Sequence, residues 1–527
     1  MSLTAVHAAD FETASEAVKN MGPGWNLGNT LDANSGSAQD LTSETYWGQP
    51  VTKPELMVMM KEAGFGAIRV PVTWYNHMDK DGKVDAAWMN RVKEVVDYVL
   101  DAGLYCIINV HHDTGDGTQW LHASTTTYNS VRARYEYLWQ QIAETFKDYD
   151  QKLLFESYNE MLDDNNRWNE PASNDGYTAI NNYAKSFVTT VRNTGGNNKN
   201  RNLVVNDYSA SSSPAAMKAL ELPEESGHIV FQLHSYPNWQ NESNAKKEID
   251  NLISNIKSNM LNRAPVIIGE YATFTTWPSN IDYYDTNRKV ALYAIEYMVK
   301  KTKENNIGTF YWMGLSDGSN RDYPCFNQPD LAETITKAWH GDSFEGKYPT
   351  KEDVLGGSTI VYNVTYNGDW QELNLCGSIS TNDYKSIKLE MYELPEAESL
   401  QFKVYGKDND HVQVATVSGT ELNSSLDFDE GILGTKSIPR VTLQTITGAT
   451  SCKVKRAVLI KTDGTEVESE LSVFWGCSLS TEVISGVKDI LLDDRHEDGA
   501  VYSLSGQRVS QPSKGIFIRN GKKYVVR

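Results

Sequence analysis

No stretch of this chain approaches the ~20 consecutive apolar residues that a bilayer-spanning helix needs, so membrane insertion is not expected. Cysteine is scarce: Cys106, Cys325, Cys376, Cys452 and Cys477 are the only five in 527 residues. None is spaced as CxxC, so neither a zinc cage nor a dense disulfide framework is indicated. The odd number leaves at least one thiol free unless it pairs between chains. Cys106 lies in an apolar run and is most simply a small core residue. Positive charge is the minority sign, with 49 Lys+Arg against 69 Asp+Glu and a formal net charge of -20. Such a balance repels polyphosphates, which excludes nucleic acid from the expected partners. The opening MSLTAVHAAD lacks the basic and then apolar pattern of a secretory leader. A chain whose leader had been removed would read the same way, so this absence does not argue for the cytoplasm.

What the chain has in plenty is length and aromatic surface. Single hydrophobic cores stop growing at ~250–300 residues, so 527 residues imply at least two domains. Apolar residues at 40% and charged residues at 22% are ordinary for globular proteins. The 13 Trp and 28 Tyr are many, and flat amphipathic rings serve sugar faces as well as cores.

From about residue 20 to 345, short apolar runs alternate with longer stretches of helical period, the βα signature of a parallel sheet. The strand candidates are GWNLG at 24–28, AIRVPV at 67–72, YCIINV at 105–110, LLFESY at 153–158, NLVVN at 202–206, IVFQLH at 229–234, PVIIG at 265–269 and TFYWM at 309–313. Between two of them, Trp88, Val92, Val95, Val96, Val99 and Leu100 form one helical stripe, and Gly103 closes it. Eight such runs predict a closed (β/α)₈ TIM barrel over 1–345. After about residue 350 the pattern becomes short alternating segments with Gly, Asn and Asp turns. That change predicts an antiparallel β-sandwich over 351–480, with GDSFEGKYPTKEDVLGG as linker, and a short C-terminal β segment at 488–527.

In a (β/α)₈ barrel the reactive groups gather at the carboxyl ends of the strands. Polar residues at or near the ends of the apolar runs are Asn29, Arg69, His111, His112, Asn159, Glu160, His234, Tyr236, Glu270 and Trp312. A strand-end polar group is usually satisfied by a neighbouring loop, but a whole set converging on one face is not explained that way. Two carboxylates from different strands provide the acid and the nucleophile that retaining glycoside cleavage requires, for which a separation of ~5–5.5 Å is expected. Arg69 could hold one carboxylate ionised and Asn159 could donate to a sugar 2-OH. Tyr236 could bond the nucleophile, and Trp312 could floor the sugar site. Trp47, Trp120, Trp168, Trp239 and Trp277 fall in βα loops, where cleft lining and loop packing are equally good readings.

The motifs GWNLGNTLDA (24–33), ETYWGQP (44–50), FGAIRVPVTWYNH (65–77), VHHD (110–113), SYNE (157–160), HSY (234–236), IGEY (268–271) and FYWMG (310–314) resemble glycoside hydrolase family 5. GWNLGNTLDA and VHHD look specifically like its subfamily 4, and the likeness covers about 325 residues. It implies that Glu160 is the general acid/base and Glu270 the nucleophile. It also implies that Arg69, His111, Asn159, His234, Tyr236 and Trp312 complete the active site, with His112 as a wall of a neighbouring subsite. One departure stands out: the family suggests an Asp-Asn-Gly-like turn after Trp312, where this chain reads Met313-Gly314-Leu315-Ser316-Asp317-Gly318.

The implied activity is a retaining endo-β-1,4-glycanase acting on a glucan-backbone polysaccharide, with no metal or organic cofactor. A monomer in a secreted, periplasmic or cell-surface location is expected. A xylanase or mannanase on the same scaffold, and a catalytically silent polysaccharide-binding protein, are the alternatives. The sandwich reads equally as a carbohydrate-binding module or a spacer. VYSLSGQRV and KGIFIRNGKKYVV resemble the C-terminal segment of exported Bacteroidetes proteins, to be weighed against a plain terminal hairpin.

Overall fold

Eight short, wholly buried segments become parallel strands: β1 (Pro23–Asn26), β2 (Ala67–Val70), β3 (Tyr105–Asn109), β4 (Leu153–Glu156), β5 (Leu203–Asn206), β6 (Ile229–Ser235), β7 (Val266–Tyr271) and β8 (Ile307–Tyr311). Each pairs with the next, and β8 pairs with β1, closing the predicted barrel. The computed structural model describes residues 11–34, 40–115, 120–224, 227–275, 281–356, 358–395 and 399–484, and the strands at 501–503, 515–519 and 522–526. The chain divides into two compact units, Met1–Lys351 and Glu352–Arg527.

The strands are short because only four to seven residues are needed to cross the barrel wall, and they are apolar outside because helices cover that side. The helix Ala86–Asp101 shows how. Asp85 caps it by accepting from the amides of Ala87 and Trp88, and Trp88, Val92, Val95, Val96 and Val99 bury its inner stripe. Leu100, expected on that stripe, is only half-buried.

Inside the barrel, alternate residues of each strand point inward and stack in layers. One layer is apolar: Ala67, Ile107, Leu154, Val204, Val230, Ile267 and Phe310 share a cluster with Ala14, Ala17, Val18 and Met21. The helix Ala14–Asn20 therefore stops the amino-terminal end of the barrel. These residues lie within the barrel domain expected over 1–345 but in no helix named from the sequence, although Thr13 and Glu16 form a capping box that signals one. Two residues further along the strands, the next layer is polar: Arg69, Asn109, Glu156, Asn206 and Gln232, all at 0% exposure. The interior thus changes from apolar to ionic within one step of the pleat.

Strand β7 breaks the alternation. Its register against β6 slips between Leu233 and His234, so that His234 stands opposite Glu270. Ile267 and Gly269 both face inward, and a Cβ at Gly269 would run into the Gln232 amide. The bulge turns Glu270 inward as well, the kind of re-aiming that bulges perform beside active sites.

The segment expected to be linker from residue 341 instead lies along the barrel as far as Lys351. Phe344 packs on Gly64 and stacks on His340 at 4.4 Å. The Lys347 amide bonds the Glu62 carbonyl at 3.1 Å, Tyr348 meets the Thr336 hydroxyl, the Phe326 amide donates to Pro349 at 2.8 Å, and Lys351 reaches Ser319 at 2.9 Å.

The second unit is built of antiparallel sheets. A five-stranded sheet runs Val412–Thr416, Leu400–Tyr405, Arg440–Thr445, Glu372–Cys376, Ser472–Trp475. The other main sheet runs Asn423–Asp427, Tyr384–Glu393, Thr450–Lys461, Thr359–Tyr366, Cys477–Ile484, with Glu466–Ser469 added beside Thr450–Lys461. The Tyr366 hydroxyl crosses between them to the Leu443 carbonyl. Trp370 and Trp475 are 52% and 57% exposed, which alternation had left undetermined. Val501–Ser503, Gly515–Arg519 and Lys522–Val526 form a separate three-stranded sheet. All five cysteines are free thiols.

Candidate active site

The centre of the site is the fully buried guanidinium of Arg69 on β2. Nε and Nη2 grip both oxygens of Glu156 on β4, at 2.6 and 2.8 Å. Nη2 also donates to Asn159 Oδ1 at 2.8 Å, and Nη1 to Asn26 Oδ1 at 2.9 Å and Glu270 Oε1 at 2.8 Å. These are all five donors an arginine has. Burial opposes the charge on Arg69, but the two glutamates more than offset it and raise its pKa. Glu156 is treated likewise: burial favours the neutral acid, yet the Arg69 charge and hydrogen bonds bring its carboxyl below the ordinary range.

Glu270 takes its second contact from the Tyr236 hydroxyl, 2.6 Å from Oε2. Burial raises its pKa, His234 and Arg69 pull it down, and Glu160 adds to the rise, leaving it above the usual carboxylate value. Burial keeps the Tyr236 phenol protonated, so it is a lasting donor. Glu160, just past the end of β4, lies 2.8 Å from His234 Nδ1, which is also 3.5 Å from Glu270 Oε2. One oxygen each of Glu160 and Glu270 and a ring nitrogen of His234 lie within 4.8 Å of one another.

His111 accepts at Nδ1 from the Asn109 amide at 3.0 Å and stacks parallel to Trp312 with ring centres 5.9 Å apart. Burial, with the charges of His112, Arg69 and His234, lowers its pKa far enough to keep it neutral. His112 sits edge-on to His111 and 3.6 Å from Asp32. Burial works against its charge, but Asp32 prevails and raises its pKa. Half-buried Trp312 covers Gly28, where a Cβ would meet the indole. The departing loop after Trp312 is tied down by Arg321, which donates to the Ser316 and Gly28 carbonyls, and by the pairing of Gln49 with Asp317.

The structure thus joins Arg69, His111, His112, Asn159, Glu160, His234, Tyr236, Glu270 and Trp312 through contacts. Asn29 is the exception. It occupies a left-handed turn after β1 (φ 61°), and its side chain bonds no described residue; Asn26 makes the contact from that strand. Sequence reading missed Asn26, Asn109, Glu156 and Asn206. Their signal was available as the polar residues that close four apolar strands, Glu156 in LLFESY above all. Of the loop tryptophans, Trp47 is exposed and 5.1 Å from His112, Trp120 donates to Asp113 at 2.6 Å, and Trp168 is exposed. Trp239 is fully buried and packs its loop, while Trp277 lies outside the described residues.

Among the described residues, two groups carry metal-ligating atoms within 4.8 Å: Asp32 with His111 and His112, and Glu160 with His234 and Glu270. In the first, His111 Nδ1 is already engaged by Asn109, and in the second His234 Nδ1 is bonded to Glu160.

Comparison with known proteins bears on the fold and the family. Endoglucanase A of Clostridium longisporum is 33% identical over 330 residues, 58% of this chain, and the chain spans 60% of that protein's length. Endoglucanase 1 of Ruminococcus albus is 37% identical over 335 residues, covering 60% of this chain and 78% of that one. Among solved structures, a broad specificity endoglucanase of subfamily 4 from an uncultured bacterium is 50% identical with a TM-score of 0.61, covering 63% of this chain and 97% of the other. A Prevotella bryantii family 5 enzyme in complex with a xyloglucan tetradecasaccharide is 43% identical with a TM-score of 0.60, covering 63% and 99%. The family described as cellulase, glycosyl hydrolase family 5, matches residues 31–317, more than half of the chain, and to that family this protein belongs.

Proposed function

We propose that the chain is an endo-β-1,4-glucanase that cleaves glucan-backbone polysaccharides by double displacement. Glu270 attacks the anomeric carbon while Glu160 protonates the leaving oxygen, and Glu160 then takes a proton from the water that releases the sugar. The observation that carries this reading is the proximity of the two carboxylates around His234, one of them held by both Arg69 and Tyr236. A nucleophile must be ionised. With its pKa raised, Glu270 is active above that pKa, and activity is lost as pH falls through it.

The relatives' names favour a glucan backbone over xylan or mannan, and the xyloglucan complex of the Prevotella bryantii enzyme makes a branched glucan a fitting substrate here. Since such polymers do not cross membranes, the reading implies action outside the cytoplasm. Reducing-end release from mixed-linkage glucan, xyloglucan, carboxymethylcellulose, xylan and mannan tests it. Turnover highest on glucan backbones is expected, and a clear preference for xylan or mannan would replace this substrate assignment.

A further inference from the structure

Glu156 makes no hydrogen bond to Glu160 or Glu270, yet its partners on β2, β3 and β5 lead on to Glu270, Asn159 and His111. Its four hydrogen bonds come from Arg69 Nε and Nη2, Asn109 Nδ2 at 3.1 Å and Asn206 Nδ2 at 3.3 Å. Each donor has a second task. Arg69 holds Glu270 and Asn159, Asn109 holds the His111 ring, and Asn206 bonds the Asn159 carbonyl at 3.1 Å. The side-on grip on Glu156 fixes the plane of the guanidinium and uses up the donors on that side. What remains at Nη1 is one hydrogen for Asn26 and one for Glu270.

We infer that Glu156 is a positioning residue with two separable effects: its shape aims Arg69 at Glu270 and Asn159, and its charge divides the single positive charge of Arg69 between two carboxylates. The inference rests on Glu270 being the nucleophile. The division of charge has a definite sign. Arg69 on β2, His234 and Tyr236 from β6 and its loop, Glu160 beyond β4, and His112 beyond β3 act on Glu270. Arg69, His234 and Tyr236 favour the Glu270 anion, as does His112 when protonated; Glu160, when ionised, opposes it. Glu156 opposes it as a nearby like charge and by competing for Arg69. Removing only that charge therefore makes Glu270 easier to ionise.

Two variants of the full chain separate the effects. Glu156→Gln keeps the size and loses the charge. The acidic limb of its kcat/KM profile on mixed-linkage glucan is expected to move down by about one pH unit, with kcat reduced. Glu156→Asp keeps the charge and shortens the reach. Its acidic limb is expected to stay in place while kcat falls about 10- to 100-fold through misaligned Arg69, with KM little changed. An unmoved limb in folded Glu156→Gln overturns the charge effect, and a kcat of Glu156→Asp within about twofold of wild type overturns the aiming effect. Should Glu156→Gln not fold, the Asp variant alone decides, because an unchanged kcat leaves Glu156 a packing residue. Labelling by an activated 2-fluoro glycoside with peptide mapping keeps the premise separate: a label away from Glu270 defeats the assigned nucleophile, whereas a label on Glu270 with an unmoved limb defeats only this inference.

Discussion

The barrel and the second unit each contain a glutamate gripped side-on by an arginine, and the two pairs are nearly superimposable in their contacts. Arg69 holds Glu156 through Nε and Nη2 at 2.6 and 2.8 Å, and Arg456 holds Glu390 through the same atoms at 2.9 and 2.8 Å. Their surroundings differ. Both side chains of the barrel pair are at 0% exposure, whereas Arg456 is at 33% and Glu390 at 11%. Hydrogen bonding by Arg456 draws the Glu390 carboxyl down to about 2, and its remaining neighbours, Lys388 and Lys455, are flexible cations. The barrel pair is surrounded by rigid amides and leads on to Glu270. The lesson is that a motif of fixed geometry acquires function from where its spare donors go.

The largest expected effect sharpens that contrast at its functional end. Glu270→Gln should lower kcat on soluble glucan by on the order of 10⁴-fold or more, as loss of a nucleophile does. Retention of a tenth of the activity would show that the chemistry lies elsewhere. Glu160→Gln should cost about 10²–10⁴-fold on the polysaccharide. With an activated aryl glycoside, whose leaving group needs little protonation, it should still give a burst of released phenol followed by slow turnover. Identical behaviour of the two variants, without a burst, would remove their separate roles.

Stability tests the comparison directly. Glu156→Ala leaves two donors of the buried Arg69 guanidinium unpaired and should destabilise the barrel by about 3–5 kcal/mol. Glu390→Ala, at a half-exposed arginine, should cost the second unit about 1 kcal/mol or less. Calorimetry of the full chain reads both, and equal losses would mean that burial does not distinguish the pairs. The smallest expected effect comes from ending the chain after Lys351, which should leave activity on soluble glucan within about twofold. Because Trp370 and Trp475 are exposed, a selective loss on insoluble glucan is expected. Equal activity on both substrates would make the second unit a spacer.

Much of this was legible in the residues. Alternation of apolar runs located all eight barrel strands, because strands buried on both faces leave an unmistakable composition. The strand-end rule reached the histidines, Asn159 and both carboxylates at the cleft. It failed at Asn26, Asn109, Glu156 and Asn206, each the last residue of its strand, because three of the four apolar runs read from the sequence extend one or two residues past the true strand end. It chose Asn29 over Asn26 because a turn residue and a strand residue three positions apart look alike without the pleat. The bulge at Gly269 was beyond reach for another reason: a single extra residue leaves composition unchanged while reversing the side on which Glu270 lies.

The segment from Phe344 to Lys351 has a mechanical consequence. Polymer-degrading proteins are pulled on whenever one part is held and another moves, and a tug entering at Glu352 meets this segment first. Its attachments to Glu62, Thr336, Phe326 and Ser319 are spaced along the chain, so a load entering there would be shared among them. Strand β8, which ends at Tyr311, would be reached by such a load only through this attached segment.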